Sequence, residues 1–566
     1  MRERVSGGAD ARPVPDFIPM NTIPALLAGK IRAALDGIAD VTPQVTVATD
    51  SRFGDYQTNV AMALAKQQRA NPRELARHII DRLDVAELCE PPEIAGAGFI
   101  NFRLKPAWLE TRIAQLAADP RLGVPEPERV RQFVIDFSGP NVAKPMHVGH
   151  IRSTILGDAL ARIAEFLGHR VVRDNHIGDW GTQFGMLTVG WKTELDRAAL
   201  AADPLGEMER LYKLLSARCK EDPATLDHAR QELVKLQNGD PENLALWQEM
   251  QRLSQAQFDA IYGRLGVRFD VTLGESFYNP QLKDVVAQLV ARGIATESEG
   301  ALCVFSDRTG KPEDDPFLVK DKDGWRDNPA MVQKSDGAAN YTTTDLATLD
   351  YRIRTWSPDE IVIITDGRQQ LHFRQFFAIF RRWQPEPAAR VRLAHVWFGS
   401  ILGEDGRPFK TRSGDTIKLT DLLDEAEERA LQLVTEKNAE LPEAERREIA
   451  RVVGLGAVKY ADLLPNRQSD YVFSWEKMLS FQGNTAPYLQ YSCVRIRSIF
   501  RKAGEPEAGG AAAAVQLAEP AELALAKKLL QFGEVLPQVL DDHRPNQLAN
   551  YLYELASTFH SFFEAC

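Results

Sequence analysis

Cysteine is scarce and scattered: Cys89, Cys219, Cys303, Cys493 and Cys566 are the five in 566 residues. An odd, dispersed set gives neither a disulfide framework nor a metal-ligand spacing, and it suits a reducing cytosol. No apolar run approaches the roughly 20 residues that span a bilayer, so no membrane segment is expected. The opening stretch carries Arg2, Arg4, Pro13 and Pro15 and lacks the apolar centre of a signal peptide, so residues 1–20 are expected to be a disordered lead-in. Positive charge is not in excess. Lys and Arg number 68 against 79 Asp and Glu, a net charge of −11, which argues against a general nucleic-acid coat but not against local basic surfaces. No repeat of 20–50 residues is present. Neither G-x-G-x-x-G nor G-x-x-x-x-G-K-[ST] occurs in the stretch from Arg131 to Thr188, which excludes the two commonest phosphate-binding loops there.

That stretch is nevertheless where the chemistry gathers. Phe133 to Phe137 is apolar and β-branched and is bounded by Gly139 and Pro140, so it reads as a buried strand. Gly149 to Leu167 reads as a helix, with Ile151, Ile155, Ala159, Ile163 and Phe166 on one face and Gly168 closing it. Val171 and Val172 open the next strand. The unit β–loop–helix–β is half of a nucleotide-binding parallel sheet. Its loop places Lys144, His147, Gly149 and His150 where the helix begins. Free N–H groups and the positive dipole end draw anions to that point, Lys144 adds a charge, and the imidazoles add donors. Gly149 lets a flat ring approach the backbone. This set suits attack at a nucleotide phosphate, where the protein positions groups and stabilises charge. A zinc site built on His147 and His150 would need further ligands, and none lies nearby in the sequence.

Elsewhere the chain reads as follows. From Asn21 to about Pro120 a small α+β domain is expected. Asn71 caps a helix carrying Leu75, Ile79 and Ile80, and Gly96–Leu104 forms a strand with Ile100 and Phe102 opposite Phe99 and Asn101. Asp196 to Leu265 is charged and helical. The second half of the sheet is expected to start near Ala301 and to include Glu360–Thr365 and Val391–Leu402. A helix from Leu371 to Trp383 should turn Leu371, Phe376, Phe377 and Phe380 inward. Loops 138–150, 366–370 and 403–416 should face one crevice, because ligands collect at the carboxyl ends of parallel strands. After Thr420 the chain is mostly helical, with Thr420-Asp421 expected to cap the helix of Leu422, Leu423, Ala426 and Ala430. Gly504 to Pro520 is low-complexity and reads as a solvent loop.

The ordered run Asn141-Val-Ala-Lys-Pro-Met-His-Val-Gly-His150-Ile-Arg-Ser-Thr154, followed by Asn175-His-Ile-Gly-Asp-Trp-Gly-Thr-Gln-Phe-Gly185, resembles the arginyl-tRNA synthetases, members of the class I aminoacyl-tRNA synthetases with their His-x-Gly-His signature. The resemblance implies an α/β fold: a Rossmann-type parallel-sheet catalytic domain, an N-terminal α+β appended domain and a C-terminal all-α anticodon-binding bundle. It implies boundaries near 21–125 for the tRNA-contacting appended domain, 126–419 for the catalytic domain with a helical insertion at about 195–300, and 420–566 for the bundle. Phe53-Gly-Asp-Tyr-Gln57 and Gly98-Phe-Ile-Asn-Phe102 are similar to the appended domain's segments. The family usually continues past a segment like Phe562–Cys566 into another helical pair, so the bundle is expected either to lack its last helices, the chain being a fragment or truncated product, or to close differently.

The activity so implied is ATP-dependent conversion of L-arginine to arginyl-adenylate and transfer to the 3′ end of tRNA(Arg), with activation dependent on bound tRNA. His147, His150 and Lys144 are then catalytic. ATP falls to Lys144, His147, Gly149, His150, Lys410 and Arg412, and arginine to Asp136, Asn141, Tyr341, Asp345 and Gln369. The tRNA falls to Tyr488, Tyr491, Arg495 and Arg497, aromatic and basic groups of the kind that read unpaired bases and phosphates. Phe409-Lys-Thr-Arg-Ser-Gly414 departs from the class I Lys-Met-Ser-Lys-Ser loop in having one lysine, and Lys144 stands where the family is thought to compensate. Mg²⁺ is expected to arrive with ATP, with no protein metal ligand evident. A cytoplasmic monomer is expected. A nucleotidylyltransferase of the same fold and a non-catalytic tRNA-binding paralogue are the rival readings. The long flanking domains oppose the first, and the intact Lys144, His147 and His150 oppose the second.

Overall fold

Phe133, Val134 and Ile135 are wholly excluded from water because their strand, Gln132–Asp136, has a neighbour on each side and helices over both faces. This explains the unbroken apolar run, since a parallel strand covered on both faces does not alternate. The computed structural model, which describes residues 21–36, 41–409, 416–504 and 515–566, sets this strand at the centre of a five-stranded sheet. The order is Arg392–His395, Glu360–Ile363, Gln132–Asp136, Arg170–Ile177, Val271–Gly274, and every pairing is parallel. The helix after the central strand runs Val148–Phe166 and buries Ile151, Ile155, Ala161 and Ile163. Phe166, expected inward, is 39% exposed: the helix ends there and the chain turns back at Gly168, whose φ is +93°.

Several expectations are corrected. The second half of the sheet does not start at Ala301. Ala301–Val304 belongs to a separate antiparallel sheet with Thr296–Ser298 and Ala330–Gln333, while Val271–Gly274 forms the edge of the parallel one. Val391–Leu402 is not one strand, because pairing stops at His395 and resumes at Ile401–Leu402 against Tyr471–Val472. On the helix Gln370–Trp383, Leu371 points outward, and Phe373 joins Phe376, Phe377 and Phe380 to complete the helical stripe. Thr420 caps nothing. The helix already runs from Leu419, which is buried and bonded through its N–H to the carbonyl of Met146.

The chain divides into two compact units. One contains the described residues of Met1–Glu128, Ala503–Pro537 and Glu554–Cys566. Its antiparallel sheet has Phe99–Phe102 between Tyr56–Thr58 and Glu93–Ala95, which is why Asn101 is buried along with Ile100 and Phe102. Asn71 caps its helix as expected, its side chain accepting from the Arg73 N–H at 2.9 Å. Leu530, far along the sequence, packs into the same core as Leu27, Ile31 and Leu64. The other unit, Arg129–Lys502 with Gln538–Tyr553, holds the parallel sheet. In it Met208, Leu211 and Leu215 form the buried stripe of Pro204–Glu221, one of the helices expected after Asp196. The lead-in 1–20 and most of the Gly504–Pro520 stretch lie outside the described residues.

Two adjacent carboxylates, Asp136 and Asp174, face each other in register on the central strands. Arg352, from the helix Tyr341–Trp356, bridges them, with Nη2 donating to Asp136 at 2.7 Å and Nε to Asp174 at 2.9 Å. Burial opposes the guanidinium's charge, and the two carboxylates hold it protonated. Removing one member of such a cluster strands charge without water. Arg352→Ala should therefore cost about 3–5 kcal/mol in urea unfolding. Arg447→Ala, which breaks an exposed pair with Glu443, should cost under about 1 kcal/mol.

Candidate active site

The loop leaving the central strand is held in an unusual course. Ser138 and Ala143 have φ of +73° and +61°, a conformation that costs non-glycine residues roughly 1–3 kcal/mol each. Polar bonds hold it: the Ser138 N–H donates to Ser153 Oγ at 2.9 Å, and the Ala143 N–H to Ser254 Oγ at 2.9 Å. The loop then delivers His147 to the N-cap of Val148–Phe166. His147 Nδ1 accepts the Gly149 N–H at 3.0 Å, and His150 Nδ1 accepts the His147 N–H at 3.0 Å. The flat ring that meets Gly149 is therefore His147's own, and a Cβ on residue 149 would stand 2.8 Å from it. Burial, then the charge of Arg368, lowers the His147 pKa. Burial, then His147, pushes His150 down to about 3. Both imidazoles are neutral at pH 7. With each Nδ1 accepting, each ring's one proton lies on Nε2, so both are N–H donors.

Beside this helix end lies a cavity of about 390 Å³. Among the expected residues it gathers Asp136, Asn141, His147, Gly149, His150, Asp345 and Gln369. Two are not on its wall. Lys144 has its Nζ 5.0 Å from the Tyr212 ring centre, and Tyr341 is 61% exposed with its ring 4.7 Å from that of His372. Lys410 and Arg412 lie outside the described residues. On the helix Ala486–Ala503, Tyr488, Tyr491 and Arg495 fall at i, i+3 and i+7 and share a face, whereas Arg497 is spaced onto the opposite one. Tyr491 is exposed, and Tyr488 lies 5.6 Å from Tyr553, ring to ring.

The cavity's carboxylates differ in what they already hold. Asp136 is engaged by Arg352, both oxygens of Asp366 accept from Nε and Nη2 of Arg368, and Asp345 Oδ2 sits 2.6 Å from His372 Nε2. Glu275, which sequence reasoning missed, is paired with no Lys, Arg or His among the described residues. Burial first, then Asp345 and Asp179, push it up to about 7. It opens the helix Glu275–Ala291 at the end of the edge strand. Asp179 holds that helix start, accepting from Ser276 N at 2.8 Å and Ser276 Oγ at 2.6 Å. A Cβ on Gly274 would lie 2.1 Å from the Asp179 carboxylate, so only glycine allows this approach. The missed signal was the short run Val271-Thr-Leu-Gly-Glu275, a strand ending in a carboxylate at the mouth of the sheet.

A parallel sheet with histidines at a helix N-terminus over its carboxyl edge is the arrangement in which open α/β folds collect ligands, and comparison gives it a class. Residues 112–475 match the family described as tRNA synthetases class I (R), catalytic domain. Residues 22–104 match the Arginyl tRNA synthetase N terminal domain, and 489–566 the DALR anticodon binding domain. An arginine–tRNA ligase of Laribacter hongkongensis is 48% identical over 550 residues, covering 96% of this chain and 93% of that one. One from Cellvibrio japonicus is 49% identical, with 93% and 89% covered. The solved arginyl-tRNA synthetase of Plasmodium falciparum superposes with a TM-score of 0.79 at 28% identity, covering 97% and 93%; that of Thermus thermophilus does so at 0.79 and 27%, covering 96% and 92%. The class is therefore that of the class I aminoacyl-tRNA synthetases. Within it, the chain belongs to the arginyl-tRNA synthetase family.

Glu275 leaves a signature in stability. An acid whose folded pKa is raised from 4.5 to about 7 binds more protons folded than unfolded in that window, so stability falls as pH rises through it. Glu275→Gln removes that loss. Its melting temperature relative to the parent should rise between pH 5 and pH 8, and a pH-independent difference would exclude the shifted carboxyl.

Proposed function

We propose that this chain activates L-arginine with ATP in the crevice above the central strand and transfers it to the 3′-terminal adenosine of tRNA(Arg). The observation that carries the reading is the crevice itself: an uncommitted carboxyl, Glu275, shares one cavity with Asp345 and with the neutral His147–His150 pair. A guanidinium is a fixed fork of five donors and seeks acceptors of that kind. Glu275 and Asp345 would hold it, with Gln369 beside them and Tyr341 at the rim. Asp136 is committed to Arg352, so it supports the floor while Asn141 meets the amino-acid head. The arginine carboxylate attacks the α-phosphorus of ATP, forming arginyl-adenylate and releasing pyrophosphate. The Nε2–H groups of His147 and His150 donate to phosphoryl oxygens as charge develops. Lys144, Lys410 and Arg412 supply cationic charge to the leaving pyrophosphate. A hydroxyl of the terminal adenosine then displaces AMP from the adenylate.

Mg²⁺ would come as part of the ATP substrate, because the phosphates need charge neutralisation. Tyr488, Tyr491 and Arg495 offer a stacking and basic face to RNA. The chain would act as a cytoplasmic monomer. All five cysteines are free, as suits a reducing compartment, and no helix among the described residues is long and apolar enough to cross a membrane.

The test is exchange of labelled pyrophosphate into ATP with a panel of amino acids, with and without tRNA. Exchange should require arginine and should appear only when tRNA(Arg) is added, RNA binding energy completing the crevice as in induced fit. His150→Ala should lower it by about 10²-fold with the arginine KM little changed. Near-normal exchange in that variant would remove the phosphate role, and brisk exchange without RNA would remove the coupling.

A further inference from the structure

One buried cation lies beside the crevice and takes part in none of these steps. Arg152 follows His150 by two positions on the helix Val148–Phe166 and is 1% exposed. Its Nη1 donates to the carbonyl of Gly399 at 2.6 Å and to that of Ser469 at 3.3 Å. Its Nε stands 3.0 Å from Oδ1 of Asp462, a fully buried residue of the helix Glu443–Leu463. The rings of Tyr471 and Phe398 lie 5.1 and 5.6 Å from its guanidinium carbon. Burial raises the Asp462 pKa, and Arg152 and then the Tyr471 hydroxyl draw it back.

These contacts come from segments whose places in the chain explain their use. Phe398 lines the crevice, and Gly399 leads into Ile401–Leu402, which pairs with Tyr471–Val472. Farther along, Phe409 stacks on Phe473 at 4.4 Å. The segment that runs on from Gly403 therefore departs from residues that Arg152 holds. Its return end is tied to the signature loop directly: the Val148 N–H donates to Ile417 O at 3.0 Å, and the Leu419 N–H to Met146 O at 2.8 Å. The return end is anchored by backbone bonds, whereas the hydrogen bond from the histidine helix to the departing end, among the described residues, is that of the Arg152 guanidinium.

We propose that Arg152 is a positioning residue for amino-acid activation, setting the departing end of the 403–416 segment and the helix Glu443–Leu463 against the helix that carries His147 and His150. The inference rests on the phosphate role proposed for those histidines. It concerns the phosphate side of the crevice and not the guanidinium side, since neither Glu275 nor Asp345 is among the contacts of Arg152. A displacement of about 1 Å at reacting groups lowers rate by as much as about 100-fold, even when the altered residue touches no substrate.

The test uses Arg152→Lys, which keeps the charge but not the fork, and Asp462→Asn, which keeps the size but not the charge. Pyrophosphate exchange is measured at saturating tRNA, well below each melting temperature. Both variants should lower kcat by about 10- to 100-fold and raise the ATP KM, with the arginine KM within about twofold of the parent. If either variant fails to fold, Arg152→Met combined with Asp462→Leu removes both charges and leaves neither stranded. That folded double variant should be equally slow. Parental kcat in the folded variants would overturn the proposal, as would an arginine KM rising in step with the loss of rate. Near-normal exchange in His150→Ala would instead remove the reading on which it rests, whatever the Arg152 variants do.

Discussion

Arg352, enclosed between Asp136 and Asp174, engages both carboxylates at the floor of the crevice and so decides which acidic groups remain for a cationic ligand. Were that guanidinium absent, two carboxylates on neighbouring strands would face each other in register without water, and one would have to take up a proton. With it present, both carboxylates are bridged and one of their two charges is offset. Asp366 is likewise satisfied by Arg368, and Asp345 is oriented by His372. What is left is Glu275, held near neutrality by burial and by its acidic neighbours. Its charge is disfavoured until a cation arrives, and such an arrangement makes cation binding and ionisation one event.

The phosphate side follows a different logic. His147 and His150 are donors without being cations, because backbone N–H groups occupy both Nδ1 atoms and burial disfavours protonation. Neutral imidazoles at a helix N-terminus stabilise growing negative charge without competing with the carboxylates across the same cavity for a permanent ion pair. The crevice thus combines an uncommitted carboxyl with neutral donors. The substrate's own ends, a guanidinium and a carboxylate aimed at a phosphate, carry the matching chemistry.

Local signals carried most of the fold. The run Phe133–Phe137, the helix after Gly149 and the Asn71 cap are all patterns of near neighbours, and the structure has them within a residue. The fold class was equally legible, since a β–loop–helix–β unit with histidines at the helix start leaves few architectures. What the sequence hid depends on distance. Val271–Gly274 reads as the tail of a helical region until the sheet edge it pairs with is known, and with it went Glu275. Leu371 sits at the rim of an aromatic stripe whose inward side only packing selects. Asp136 looked free because its partner, Arg352, comes 216 residues later. Arg152 carried no local signal of its role because the four residues it meets lie some 250 to 320 residues away.

The central claim is that arginine binds by ionising Glu275. Calorimetric titration of L-arginine at pH 7, in two buffers of different ionisation enthalpy, tests it most directly, because the apparent heat then counts protons. A carboxyl titrating at about 7 is partly protonated before binding, and a guanidinium beside it expels the proton. The account predicts net proton release on binding, and no buffer dependence in Glu275→Gln. A binding heat that is the same in both buffers for the parent enzyme, or an unchanged buffer dependence in Glu275→Gln, would contradict it.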